Sequence, residues 1–206
     1  MLKNFLTSKH RKYWANRKVN WETSYFADHP HRDLIIKTLK TMKFGSILEV
    51  GCASGYNLFK IQENFPRTQI GGIDISQDAI TKAKEMLPGA VVLEVSSADN
   101  LFLSDKSSDL MLTDMCLIYQ SPFDINKAIG ELKRVARNGI ILVEFHHTNW
   151  FKRQFLRLVS GYNSYNYKKL LTKHGFYDIE IYKLTEADWP SGEPQKTYGC
   201  LITAKI

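Results

Sequence analysis

Glu49, Gly51, Gly55 and Asp74 are the residues of this 206-residue chain whose types and spacing could act together chemically. The two glycines frame the turn Gly51-Cys52-Ala53-Ser54-Gly55, where backbone can approach a ligand more closely than a Cβ would allow. Asp74 closes the run Ile70-Gly71-Gly72-Ile73, 19 positions after Gly55. A strand, a glycine turn, a helix and a strand-end acid form the layout of a nucleoside-binding βαβ unit, in which the acid accepts hydrogen bonds from a ribose diol. The spacing Gly51-x-x-x-Gly55 differs from the G-x-G-x-x-G dinucleotide fingerprint. Glu49, two residues before the first glycine, would also set a carboxylate beside a pyrophosphate; it suits a ligand that carries an ammonium group. Further on, His146 and His147 follow the apolar run Ile140-Ile141-Leu142-Val143, at the edge where open α/β sheets bind ligands. An imidazole titrates near neutrality and can take a proton from an acceptor. Adjacent residues of an extended segment point to opposite sides, so at most one of the two faces a site.

The pattern E-x-G-x-x-x-G with an acid-terminated second strand resembles the class I S-adenosylmethionine-dependent methyltransferases. The resemblance continues in Asp109-Leu110-Met111-Leu112-Thr113-Asp114, which is similar to that family's fourth strand. It continues again in Leu132-Lys133-Arg134-Val135 followed by Asn138-Gly139-Ile140-Ile141-Leu142-Val143, similar to its helix, turn and fifth strand. It covers residues 44–145 closely. The resemblance implies S-adenosylmethionine as cofactor and S-adenosylhomocysteine as product. It places Glu49 at the cofactor's amino-acid end, Gly51, Cys52, Ala53 and Gly55 in the turn beneath it, Asp74 on the ribose and Ile75 on the adenine face. Ser97-Ala98 stands where the family has an acid-small pair, with Asp99 one step further on, so either Ser97 or Asp99 reads the adenine. Asp114-Met115-Cys116 would line the methionine portion. Tyr119 stands where relatives often place a histidine, and either meets the acceptor or closes the core edge. With His146 and His147 it completes the candidate catalytic set. Tyr13 and Trp14 belong to an N-terminal aromatic group, with Trp21, Tyr25 and Phe26, that would fold over the cofactor as a lid or dock the segment on the domain.

These residues need a scaffold. Strands are expected at 46–50, 69–74, 90–95, 109–114 and 139–145, and a final pair at 178–184 and 197–205. Helices are expected at 10–20, at 29–43 with Gly45 as its terminating glycine, and at 55–64, turning Leu58, Phe59, Ile61 and Phe65 to the sheet. Further helices follow at 77–87 with Ser76 as N-cap, at 123–136 opened by Pro122, and at 164–174. Near-continuous apolar strands such as Val91-Val92-Leu93 call for a parallel sheet covered on both faces. With the resemblance, this implies an α/β, Rossmann-like, doubly wound seven-stranded sheet, mostly parallel with an antiparallel last strand.

The chain is of a length for one domain, 1–206, with 1–43 a basic helical cap and 146–177 a basic insert near the acceptor site. The net charge of +7 is concentrated: residues 1–43 hold 10 Lys/Arg against 3 Asp/Glu, whereas residues 146–177 hold six Lys/Arg and no acid. Either segment is a solvated face or meets an anionic partner. The segment 149–159 is basic and amphipathic; it is expected to pack over the acceptor site with its bases outward or toward a phosphate, and peripheral membrane contact is not expected. No run of 18 apolar residues exists, so no transmembrane helix is expected. A secretory leader is not expected either. Three scattered cysteines fit free thiols in a cytoplasmic protein, and no metal site is expected. The function implied is methyl transfer to an oxygen or nitrogen of a small, anionic metabolite such as a sugar or nucleotide-sugar, by a monomer or homodimer. RNA methylation by the basic segments and a non-catalytic cofactor-binding partner subunit are the alternatives.

Overall fold

The computed structural model describes residues 12–20, 29–190 and 192–206. Trp21, Tyr25 and Phe26 therefore lie outside the described residues, and the expected helix 10–20 is described as a short helical turn over 12–16.

The chain then runs α1 (Pro30–Leu39), β1 (Ser46–Val50), α2 (Tyr56–Asn64), β2 (Gln69–Asp74), α3 (Gln77–Met86), β3 (Val92–Val95) and β4 (Ser108–Asp114). A 3₁₀ turn (Leu117–Tyr119) leads into α4 (Ile125–Val135), β5 (Ala136–Phe145), α5 (Trp150–Ser160), α6 (Tyr167–Lys173), β6 (Tyr177–Lys183), α7 (Gln195–Tyr198) and β7 (Gly199–Lys205). The seven strands form one sheet in the order β3-β2-β1-β4-β5-β7-β6. All pairs are parallel except those of β7, which runs antiparallel to both β5 and β6.

Alternation along the strands explains the two-faced cover. Met111, Ile140 and Leu142 enter one core, under α4 and α6. Leu110, Leu112, Ile141 and Val143 enter the other, under α1, α2 and α3. Successive strand residues point to opposite faces, so an unbroken apolar run fills both cores at once. The order reverses between β1 and β4, and a sheet of this kind opens its ligand crevice at the carboxyl ends of the strands at that switch point.

Local chemistry sets the ends of the elements. Ser76 caps α3, its hydroxyl accepting from the Ala79 amide at 3.3 Å. Gly45 does not end the first long helix: α1 stops at Leu39, and the Gly45 amide instead donates to Asp109 Oδ2 at 2.7 Å, tying the start of β1 to β4. Pro122 does not open α4; Asp124 is its N-cap residue and accepts from the Ser121 hydroxyl at 2.7 Å. Phe59 points outward, because Leu58 and Ile61 already form the inward stripe of α2 and position 59 lies a third of a turn away.

Candidate active site

A cavity of about 200 Å³ opens at the carboxyl ends of β1, β2 and β4. Of the residues predicted from the sequence, Gly51, Ala53, Asp74, Ile75, Ser97, Ala98, Asp114, Met115, Cys116, Tyr119 and Trp14 line it. Val50, Ser96 and Gln120 complete the wall. A smaller recess adjoins it through Gly51, Ala53 and Asp114, and adds Glu49, Cys52, Ser54, Asn57, Tyr56 and Arg32.

The first loop is held from below. The Gly51 and Cys52 amides donate to the Ile73 carbonyl at 2.7 and 3.0 Å. Gly51 has φ +81°, and a Cβ there would sit 2.6 Å from Cys116 Cβ and Sγ. Gly55, at φ +91°, begins α2 behind the cavity against Leu87. Ala53 and Met115 both adopt left-handed backbone, φ 49° and 48°, and both line the cavity; non-glycine residues held this way cluster at functional sites.

Asp74 uses one oxygen on each flank. Oδ2 accepts from the Ala53 amide at 2.9 Å and Oδ1 from the Ser76 amide at 2.9 Å. A carboxylate oxygen accepts more than one hydrogen bond, so both retain capacity for a pair of hydroxyls in the cavity. Burial raises the Asp74 carboxyl, opposed by the backbone amides of Ser76, Ala53 and Ile75.

The recess holds a denser network. Asn57 Nδ2 donates to Glu49 Oε1 at 2.6 Å and to Asp114 Oδ2 at 3.0 Å, and Arg32 Nε donates to Asn57 Oδ1 at 2.9 Å. His31 Nε2 meets Asp114 Oδ2 at 2.7 Å. His31 is in turn packed under Trp189, with ring centroids 4.3 Å apart, and against His29, whose pKa burial lowers to about 4. Burial pushes the Glu49 carboxyl up to about 8, against the hydrogen bond from Asn57. Burial acts on Asp114 in the same sense, but His31, Asn57 and Arg32 hold it below its ordinary value. Glu49 Oε2 and Asp114 Oδ1 remain buried with no hydrogen-bond partner. Two orphaned carboxylate oxygens in one recess are costly unless a donor or cation joins them.

Several residues named from the sequence do not line the cavity. His146 and His147 do not reach the cavity. After Phe145 the backbone pairs with Tyr165 and Tyr198, and the imidazoles part: His146 stacks on Tyr167 and His147 meets Tyr198. His146 Nδ1 accepts from the Tyr167 amide at 3.1 Å, and His147 Nδ1 accepts from the Asn149 amide at 2.9 Å. Burial lowers the pKa of both. Tyr13 is outside the cavity wall and 52% exposed; it meets Trp14 edge-on at 5.3 Å, and Trp14 is the ring that faces the cavity, 5.0 Å from Tyr119. Asp99 does not line the cavity: it accepts from the Ser97 hydroxyl at 2.5 Å, behind the wall that Ser97 forms.

Arg32, His31, Asn57 and Glu144 are contributors that the sequence reading passed over. Asn57 left a signal, as a polar residue in the first turn of a helix whose next inward residues, Leu58 and Ile61, are apolar. Glu144 left one too, as an acid inside the run Val143-Glu144-Phe145. It is fully buried and accepts from Thr113 Oγ1 (2.8 Å) and from the amides of Cys116 (3.0 Å), Leu117 (2.9 Å) and Ile118 (3.2 Å). Burial pushes its carboxyl up to about 8 despite these donors. Glu144 thereby fixes the turn that carries Cys116 and Tyr119 into the cavity wall. Arg32 left no local signal, because its partners come from α2 and β4.

Residues 43–184 match the family model described as a methyltransferase domain, more than half of the chain. The chain belongs to the class I S-adenosylmethionine-dependent methyltransferases. Over 69 residues this methyltransferase is 32% identical to trans-aconitate 2-methyltransferase of Afipia carboxidovorans, a match that spans 34% of the chain and 27% of that relative. Its fold is similar to geranyl diphosphate C-methyltransferase of Streptomyces coelicolor, solved with S-adenosylhomocysteine (TM-score 0.73, 10% identity, 97% of each chain covered). It is also similar to a methyltransferase of Thermotoga maritima described as a possible histamine N-methyltransferase (TM-score 0.61, 16% identity, 100% of this chain and 99% of that one). The residues present fit S-adenosylmethionine: the orphaned Glu49 and Asp114 oxygens suit its ammonium, and Arg32 in the same recess suits its carboxylate. Among the described residues no helix is long and apolar enough to cross a membrane.

Proposed function

We propose that this methyltransferase moves the methyl group of S-adenosylmethionine to an oxygen or nitrogen of a small, anionic metabolite, a sugar or nucleotide-linked sugar being the class that suits its basic segments. The observation that carries the donor half is the pair of buried, unpartnered carboxyl oxygens on Glu49 and Asp114, in a recess that shares Ala53 with the cavity of the two-sided Asp74 carboxylate. Bound in the cavity, the sulfonium donor supplies an already activated methyl group. Glu49 and Asp114 hold its ammonium, Arg32 its carboxylate, Asp74 its ribose hydroxyls, and Ser97 and Ala98 stand at the adenine edge. Trp14 and Tyr119, packed ring to ring, wall the other side and restrict water.

Among the described residues, Tyr119 is the candidate catalytic side chain that stands in the cavity wall. Positioning of donor and acceptor is worth up to about 7–11 kcal/mol. The acceptor's charge is inferred from Arg17, whose guanidinium lies 4.9 Å from the centre of the Trp14 ring and so beside the cavity wall, and from the basic surplus of the N-terminal segment. The relatives act on a tricarboxylate, a prenyl diphosphate and an amine by name, so the fold itself does not choose the acceptor.

The test is calorimetric titration with S-adenosylmethionine, followed by incubation of metabolite extracts with labelled donor and mass analysis of what becomes labelled. Micromolar donor binding with label on an anionic small molecule is expected. Absence of donor binding would refute the site; label appearing only on RNA would refute the acceptor class.

A further inference from the structure

Among the described residues, helix α5 turns most of its large apolar side chains away from the protein. Only Leu156 is buried, at 2% exposure, where it packs with Ile118, Phe145 and Tyr198. Phe151, Phe155, Leu158 and Val159 are exposed by 76, 64, 84 and 62%. They recur at i, i+4, i+7 and i+8, which places them on a single stripe that leaves Leu156 at its inner edge. Trp150, 56% exposed, begins the helix and meets Phe151 edge-on at 5.1 Å. Of the bases expected to face outward or toward a phosphate, Lys152 is exposed, whereas Arg153 and Arg157 are half-buried. The ends of the helix are well defined: the Asn149 side chain accepts from the Lys152 amide at 3.2 Å, and Gly161 closes it in the left-handed conformation at φ 75°. The stripe is therefore carried on a formed, 11-residue helix.

Burial of large apolar groups stabilises by removing them from water, and an outward stripe forgoes that gain unless something covers it. The charges around it say what does. Lys152 borders the stripe, Arg153 and Arg157 lie on the body side of the same helix, and Lys168 and Lys169 are exposed on α6. Residues 146–177 contain six Lys/Arg and no Asp/Glu. An exposed, single-helix apolar stripe with aromatic residues, flanked by Lys152 in a segment that carries six Lys/Arg and no Asp/Glu, is the pattern of a helix that lies in a bilayer interface, its side chains in the acyl boundary and its cations among lipid phosphates.

We propose that α5 docks this protein on an anionic lipid surface. The helix would lie parallel to the bilayer with Phe151, Phe155 and Leu158 inserted and Lys152 at the headgroups. Leu156 packs on Ile118, next to the cavity-lining Tyr119, so docking would set the cavity mouth beside the membrane. The inference does not depend on the methyl-transfer reading.

Sedimentation with vesicles tests it. One set contains phosphatidylcholine alone and the other about one-third phosphatidylglycerol. The full chain should sediment with the anionic vesicles, less so as salt is raised, and at least about tenfold more weakly with neutral ones. The triple variant Phe151→Ser, Phe155→Ser, Leu158→Ser should weaken anionic binding at least about tenfold. These side chains are exposed, so the melting temperature and affinity for S-adenosylmethionine should stay at wild-type values, which shows that the variant is folded. Three results would overturn the proposal: no sedimentation with anionic vesicles, equal binding by the triple variant, or a wild-type dimer in solution that the triple variant turns into a monomer, which would assign the stripe to a second copy of this chain.

Discussion

Glu49 carries an ionisation problem that a ligand can resolve. Its carboxyl is fully buried, one oxygen bonded to Asn57 and the other unpartnered, and burial holds its pKa up to about 8. Below that pH Glu49 is protonated in the free protein, and an arriving ammonium must displace the proton. Donor affinity should therefore rise with pH up to about 8, with a proton released on binding. Above about 8 the gain ends as the donor's own amino group begins to deprotonate. Calorimetry in buffers of different ionisation enthalpy measures that proton, and Glu49→Gln should abolish both its release and the pH dependence. Asp74 makes a simpler prediction. Asp74→Ala removes a charged acceptor from two hydroxyls and should cost roughly 2–3 kcal/mol of donor affinity, about 30- to 150-fold. A wild-type dissociation constant for Asp74→Ala would remove the ribose assignment.

At the scale of elements, the site is made by loops that two strand ends hold against each other. The Gly51 turn leans on Cys116 from the β4 loop, which Glu144 of β5 holds in place. Gly51→Ala would force a Cβ to within 2.6 Å of Cys116 in a left-handed backbone. It should cost about 2–4 kcal/mol in urea denaturation and should lower donor affinity with it. The strand–turn–helix elements were legible because their signals are local. The β1 run, the 51–55 turn and the Asp74 end lie within one βαβ unit, and strands β1 and β2 span the residues that the apolar periodicity marks. What was not legible depends on chain returning from elsewhere. The Arg32–Asn57–Glu49 and His31–Asp114 contacts join α1 to α2, β1 and β4, and no spacing in the sequence encodes them. The misplacement of His146 and His147 has the same origin. Their position after β5 is correct, but the Tyr165 and Tyr198 backbone, distant in sequence, turns that segment away from the cavity. The outward face of α5 was hidden too, because an amphipathic pattern states that a helix has two sides and not which one meets the protein.

Across the whole molecule, shifted ionisations combine into a stability profile whose sign can be worked out. Glu49 and Glu144 are both raised to about 8 from an ordinary 4.5, and Asp74 is raised as well. The native state therefore keeps protons that the unfolded chain has lost, and stability falls as pH rises through this range. Histidines oppose them at the acid end. His29 is lowered to about 4 from 6.5, and His146, His147 and His174 are lowered as well, so that at these groups the unfolded chain binds more protons and their share of the stability rises with pH up to about 6.5. The lowered carboxyls, Asp109, Asp114, Glu131 and Asp188, act only near and below their ordinary values. Between pH 6.5 and 8 Glu49 and Glu144 act without opposition from the histidines, each contributing a loss of up to about 2 kcal/mol at 1.36 kcal/mol per pH unit. The melting temperature should thus fall from pH 6.5 toward pH 8. Glu49→Gln should remove the Glu49 share of that fall while leaving the Glu144 share. Saturating S-adenosylmethionine should do the same in the wild type, because its ammonium stabilises ionised Glu49. Thermal melts at several pH values, with and without donor, measure this directly; a melting temperature that climbs from pH 6.5 to 8 would show that Glu49 and Glu144 are ionised in the folded protein and that their hydrogen bonds outweigh burial.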